Sequence, residues 1–194
     1  MRDIDCAADA IADGDLVVYP TETVYGLGTD AADPEAIERV FEAKGRPRDR
    51  PVSLGVPDVA TAREYTDPSE RELAFMCAFL PGPVTVVVDR RDAVPDELTA
   101  GRDRVGVRIP AHDLALSLLD AAETPVTATS ANVSGSPSVR RLDELGERVR
   151  EAAAVCLDGG ETPGTESTVV DVSAGTIHRR GALADDIETW LAEH

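Results

Sequence analysis

One lysine, Lys44, stands in a chain that otherwise draws its positive charge from eighteen arginines. It sits in Lys44-Gly45-Arg46-Pro47-Arg48-Asp49-Arg50-Pro51, the densest positive cluster in the sequence. An ammonium on a flexible stem acts as a compact point charge against phosphate or carboxylate, where a guanidinium presents a planar fork. A merely solvated charge could have been arginine, as it is everywhere else. Lys44 is therefore the first candidate for chemistry, set against the plainer reading of a leftover surface charge. Gly45 permits positive φ or close backbone approach. Lys44 and Arg46, two apart, share a side if the segment is extended.

Three further segments group polar side chains beside glycine or proline. Pro20-Thr21-Glu22-Thr23-Val24-Tyr25-Gly26-Leu27-Gly28 follows an apolar run, and in open α/β sheets such strand ends line ligand sites. It reads equally as an ordinary strand-to-helix turn. It lacks the third glycine of a dinucleotide fingerprint, and no phosphate-loop pattern occurs in the chain. Thr129-Ser130-Ala131-Asn132-Val133-Ser134-Gly135-Ser136-Pro137-Ser138 offers hydroxyl and amide groups to a phosphate or sugar, or else forms a capped turn. Glu166-Ser167-Thr168 enters the last long apolar run from a glycine-rich loop. No serine has the setting of a hydrolase nucleophile. Arginines recur at 102, 104 and 108, at 140 and 141, and at 179 and 180. In an acidic molecule, arginines gathered near loops predict anion binding.

The elements that must position these groups are legible. Runs at 16–19, 52–54, 84–88, 105–109, 125–127, 155–157 and 168–172 predict strands, several without polar alternation, as expected of strands covered on both faces. Asp33-Pro34-Glu35 predicts an N-cap and helix start, with Ile37, Val40 and Phe41 on one face. Asp67-Pro68-Ser69-Glu70 predicts a second start, ahead of Leu73, Met76, Phe79 and Leu80. Residues 112–122 and 141–153 are also periodic. The fold class is α/β: a twisted mixed sheet, largely covered by surrounding helices, in a single domain over residues 1–194.

Composition bounds the setting. Asp and Glu number 37 against 19 basic residues, giving a net charge of −18, while 42% of residues are hydrophobic. That is too apolar for a disordered acidic tail. It predicts a halophilic protein, since molar salt shortens the Debye length to about 3 Å and screens carboxylate repulsion. Cys6, Cys77 and Cys156 lack metal-ligand spacing and are expected to be small apolar filler. No membrane-length apolar run or secretory leader appears, so the expected location is cytoplasmic.

Six segments together resemble the YrdC/YciO family. They are Pro-Thr-Glu-Thr-Val-Tyr-Gly-Leu-Gly at 20–28, Lys-Gly-Arg-Pro at 44–47, Pro-Gly-Pro-Val-Thr at 81–85, Val-Arg-Ile-Pro at 107–110, Ser-Ala-Asn at 130–132 and Glu-Ser-Thr-Val-Val-Asp at 166–171. They occur in the family's order and cover nearly the whole chain. The resemblance implies a YrdC-like fold with a concave, positively charged cavity. It also implies L-threonylcarbamoyladenylate synthesis from L-threonine, bicarbonate or CO₂, and ATP, with the product passed to a downstream tRNA-modifying transferase complex. Carried over, Lys44 and Arg46 would be catalytic, holding carboxylate and phosphate charge. Thr23, Arg108 and Ser167 would hold threonine. Arg46, Arg50, Ser130, Asn132, Ser138 and Arg179 would contact ATP or the adenylate. Mg²⁺ would arrive with ATP, without a dedicated protein cage.

The sequence departs from that pattern in places. The family's histidine after Lys-x-Arg is replaced by Gly55, Arg179-Arg180-Gly181 stands for the usual Arg-Pro-Gly, and the extra C-terminal domain of longer relatives is not expected. Rival readings are a catalytically silent YciO-like protein, an RNA-binding module, and carbamoyl transfer of the hydrogenase-maturation kind. The bulk negative charge argues against direct tRNA binding, which draws on phosphate neutralisation.

Overall fold

The computed structural model describes residues 2–194. Nine strands form one mixed sheet: β1 (Leu16–Tyr19), β2 (Gly26–Gly28), β3 (Ser53–Gly55), β4 (Val84–Asp89), β5 (Arg104–Arg108), β6 (Val126–Ser130), β7 (Ala153–Cys156), β8 (Thr168–Asp171) and β9 (Thr176–Arg179). Their spatial order is β7-β1-β2-β6-β3-β5-β4-β8-β9. Pairs β1–β7, β3–β5 and β4–β8 are parallel and the other five are antiparallel. The helices are α1 (Arg2–Ala12), α2 (Pro34–Lys44), α3 (Val59–Tyr65), α4 (Glu70–Phe79), α5 (Asp96–Thr99), α6 (Asp113–Ala121), α7 (Glu147–Ala152) and α8 (Ala184–Glu193), with a 3₁₀ turn at Leu142–Glu144. None of the described helices is long and apolar enough to cross a membrane.

Period-two alternation divides the sheet into two unlike faces. Leu54, Val84, Val86, Val88, Val105 and Val107 point into the largest core cluster, with Ile37 and Phe41 of α2, Phe75 and Met76 of α4, and Ile187 of α8. On the opposite face, Val17, Tyr19 and Val126 pack under Ala7 and Ile11 of α1 and Leu118 and Leu119 of α6. That cover stops short of the central strands. There the same face carries Ser53, Gly55, Thr85, Val87, Gly106 and Arg108, and these line an open cavity. Strands predicted to be covered on both faces are thus covered on one, and the other serves as a floor. The valine-rich runs hid this because Val87 reads like its core neighbours.

The start of α2 follows the sequence: Asp33 Oδ1 accepts from Glu35 N at 2.9 Å, with Pro34 in the first turn. The start of α4 corrects it. The cap is Ser69, not Asp67, because Glu72 closes a capping box with it: Ser69 N donates to Glu72 Oε2 at 2.8 Å. The periodic stretch 141–153 is broken into the 3₁₀ turn and the short α7. The cysteines also differ from expectation. Cys6, Cys77 and Cys156 are all exposed, on α1, on α4 and on edge strand β7.

Candidate active site

The cavity encloses about 460 Å³ over the central strands. Its floor is built from small residues. A Cβ at Gly106 would lie 2.8 Å from Ser53 Oγ and 2.9 Å from Thr85 Cγ2; one at Gly26 would lie 2.9 Å from the Tyr19 ring. These glycines therefore let neighbouring side chains lie flat across the sheet. Arginines 46, 50, 102, 108 and 179 line the walls, with Asp49 and Glu166 as the acidic lining residues.

One end of the cavity is a threonine-rich pocket. Thr21 Oγ1 and Thr23 Oγ1 lie 2.8 Å apart, and the Thr21 hydroxyl donates to Val24 O at 2.6 Å, shaping the turn after β1. Arg108, in register between Gly55 and Thr85, pairs with Glu22 Oε1 at 2.8 Å. The same Glu22 oxygen accepts from Ala111 N at 2.9 Å, which ties the β1–β2 loop to the end of β5. Burial lowers the Arg108 pKa while Glu22 opposes the fall. Tyr19 lies across the floor, and burial pushes its phenol up to about 12, so it remains a donor at neutral pH.

Across the floor, Ser167 Oγ lies 3.2 Å from Thr85 Oγ1 and accepts from Arg179 Nη2 at 2.8 Å. Arg179 Nε donates to Ser167 O at 3.0 Å, and its Nη1 pairs with Glu166 Oε2 at 3.3 Å. Ser138 Oγ donates to the other Glu166 oxygen at 2.8 Å. Arg46 is fixed by donation to Arg50 O and Pro51 O, at 3.0 and 2.9 Å. Burial, then repulsion from Arg50 and Arg179, lowers its pKa.

Seven residues named from the sequence line this one cavity: Thr23, Arg46, Arg50, Arg108, Ser130, Ser167 and Arg179. Three do not. Lys44 is 1% exposed and lies beneath the cavity wall. Its ammonium donates to the Ser130 carbonyl and, at 2.6 Å, to the Asn132 carbonyl. Gly45, left-handed with φ 57°, ends α2 directly after it, so the helix terminus sets the lysine's position. Burial pushes the Lys44 pKa down to about 8; Arg46 adds to the fall and Glu166 opposes it. Asn132 Nδ2 donates to Val133 O and Ser136 O at 3.0 and 2.7 Å, folding the 132–136 turn. Ser138 reaches the cavity through Glu166. Lys44 and Asn132 thus both shape the segment after β6 through backbone carbonyls.

Sequence reasoning passed over Tyr19, Thr85 and Glu166 as cavity residues, and Glu22 as the partner of Arg108, while Arg102, from the cluster at 102, 104 and 108, does line the cavity. Glu22 and Glu166 stand in motifs where an acid reads simply as a polar loop residue. The usable signal was an acid flanked by residues bound for an arginine-lined site.

A family model named Sua5/YciO/YrdC and described as "telomere recombination" matches residues 9–181. The chain belongs to this family. It is 43% identical to a threonylcarbamoyl-AMP synthase of Pyrococcus abyssi over 98% of its own length and 57% of that protein's, so it spans little more than half of that relative. It is 35% identical to the synthase of Shigella flexneri over 92% of its length and 95% of that protein's. Among solved structures, P. abyssi Sua5 complexed with L-threonine superposes with a TM-score of 0.92 at 40% identity, covering 98% of this chain and 57% of that one. The fold and family expected from the six motifs are therefore correct.

Proposed function

We propose that this protein is an L-threonylcarbamoyladenylate synthase. One observation carries the reading: a single cavity joins a hydroxyl-lined pocket around Thr23, Arg108 and Ser167 to a cluster of Arg46, Arg50 and Arg179. The first suits a small hydroxy amino acid with its carboxylate on a buried guanidinium; the second suits a polyphosphate. The relatives named as synthases, and the similar protein bound to L-threonine, support the same assignment.

In this reading the threonine amine adds to bicarbonate with loss of water, or to CO₂ with loss of a proton, to give a carbamate. A carbamate oxygen attacks the ATP α-phosphorus, the bond to the leaving oxygen breaks, and pyrophosphate departs. Such a step needs alignment and charge neutralisation rather than a protein nucleophile. Arg108 would hold the threonine carboxylate, with Thr23 and Ser167 at its polar groups. Arg46, Arg50 and Arg179 would face the phosphates, and Ser130 would sit where β6 meets the nucleotide. Among the described residues no group of three or more His, Cys, Asp or Glu is placed to hold a metal ion. In this reading magnesium arrives with the triphosphate, whose charge it offsets. The adenylate would pass to a tRNA-modifying transferase complex in the cytoplasm, with no direct tRNA contact by this acidic chain.

The test is pyrophosphate release by the purified chain in molar KCl. The expected result is release only when threonine, bicarbonate and ATP are all present. No release would remove the assignment in favour of a silent YciO-like or nucleic-acid-binding role, and release independent of threonine would remove it in favour of another nucleotide-cleaving activity.

A further inference from the structure

Glu166 is out of keeping with its surroundings. It puts a carboxylate into a cavity whose other charged lining is five arginines and Asp49. Its two oxygens engage two of the groups best suited to phosphate: Oε1 accepts from Ser138 Oγ at 2.8 Å, and Oε2 pairs with Arg179 Nη1 at 3.3 Å. The side chain is 44% exposed, so it can leave without opening a core. Its backbone cannot follow. Glu166 O accepts from Ala182 N at 3.0 Å, and the chain at Gly181 passes so close that a Cβ there would lie 2.2 Å from the same oxygen. Any movement is thus confined to the side chain, which can rotate away while Arg179 stays bonded to Ser167.

We propose that Glu166 is an internal occupant of the phosphate subsite and a specificity determinant for its ligand. In the empty cavity the carboxylate keeps Arg179 and Ser138 paired, holding them in the positions a phosphate group needs. A polyphosphate enters by displacing it. A carboxylate left beside bound phosphates repels them, so the subsite discriminates against bare polyanions and favours those whose charge magnesium has reduced. This rests on the nucleotide-binding reading above and adds the residue that sets which form of nucleotide is accepted.

The experiment is calorimetric titration of ATP and of inorganic pyrophosphate, each with and without magnesium. The proteins are wild type, Glu166→Gln and Glu166→Ala, with folding checked by melting in the same buffer. Glu166→Gln keeps a hydrogen-bond acceptor for Ser138 and removes the charge. The expected result is binding of magnesium-free ATP and pyrophosphate about three- to fivefold tighter in both variants, the scale of losing one half-exposed ion pair. The advantage of the magnesium-bound form should shrink in parallel. Should one variant melt early, the other carries the comparison. Unchanged or weaker magnesium-free binding in the folded variants overturns the proposal and leaves adenylate synthesis by the wild type standing. If neither ATP nor pyrophosphate binds the wild type, both readings fall together.

Discussion

The Lys44 ammonium is bonded to the backbone carbonyl of Asn132 at 2.6 Å, and to that of Ser130. The one lysine in the chain therefore acts on the cavity through the loop it braces. Its burial gives its rarity a cause besides contact with substrate. An ammonium fits between two carbonyls where a guanidinium fork does not. Lys44→Arg should displace Ser130 at the cavity edge, and a shift of about 1 Å can cost on the order of 100-fold in rate. Single-turnover adenylate formation measures it. A rate within about threefold of wild type, under roughly 1 kcal/mol, would count against the brace.

Lys44 also predicts a pH dependence. Its pKa falls from 10.5 unfolded to about 8 folded. Between those values the unfolded chain binds more protons at this group than the folded chain does. Its contribution to stability therefore rises with pH from about 8 to about 10, and below 8 the cost of burying the charge is present in full. Tyr19, pushed up to about 12, works in the opposite sense above pH 10. Because no other lysine titrates, Lys44→Met isolates the term. The stability difference between wild type and Lys44→Met should shift in favour of the wild type on raising the pH from 8 to 10. A constant difference across that range would contradict it.

The Glu22–Arg108 pair is largely enclosed, with side-chain exposures of 16% and 8%. Glu22→Ala would leave the guanidinium without its counter-charge and Ala111 N without its acceptor. Removing one partner of a buried pair costs about 3–5 kcal/mol, so about 3 kcal/mol is expected at this slightly open site. Glu22→Gln keeps an acceptor for Ala111 N and should be milder, while threonine affinity drops as Arg108 loses its anchor. Denaturant unfolding and threonine titration separate the two effects.

Gly106→Ala tests the floor. Its added methyl would press on Ser53 Oγ and Thr85 Cγ2. Overpacking of this kind costs about 1–3 kcal/mol, and here the strain also tilts side chains that line the cavity. Threonine binding should weaken with it. A variant of wild-type stability and affinity would show that the floor has slack.

How far the sequence disclosed all this depended on the type of signal. Most of the strands marked by apolar runs were legible within a residue or two: Val84–Asp89 was expected at 84–88 and Thr168–Asp171 at 168–172, though β6 runs on to Ser130 past the expected 127 because its last residues are polar. The three-residue β2 and the hairpin strand β9 were missed, since Gly26-Leu27-Gly28 reads as a turn and Thr176–Arg179 is largely exposed. Seven cavity residues were found through motif resemblance and loop chemistry. Glu22 and Glu166 were not, because an acid's role depends on which arginine folds against it from more than ten residues away. That Lys44 and Asn132 also bond to backbone carbonyls of the β6 loop was not legible, because sequence cannot say which backbone groups fold against a polar side chain.

The charge excess gives a further prediction. With 37 acidic residues against 19 basic ones, the arginines at 39, 48, 90, 140, 141 and 180 are already paired with carboxylates, and a surplus of acids remains. Raising KCl from 0.1 M to 1 M shortens the Debye length from about 10 to about 3 Å and should relieve that surplus. The midpoint of thermal unfolding should climb steeply over this range. A melting curve insensitive to KCl would show that the surface charge is not self-repelling.

Burying the one lysine also leaves the folded surface without a lysine amine. Amine-directed reagents, whether acylating probes, cross-linkers or coupling resins, meet no lysine until the β6 loop lifts from the end of α2. Slow acylation at Lys44 would then serve as a clock for that opening, read by mass spectrometry at a single residue. Under the proposed function, added ATP should slow the clock.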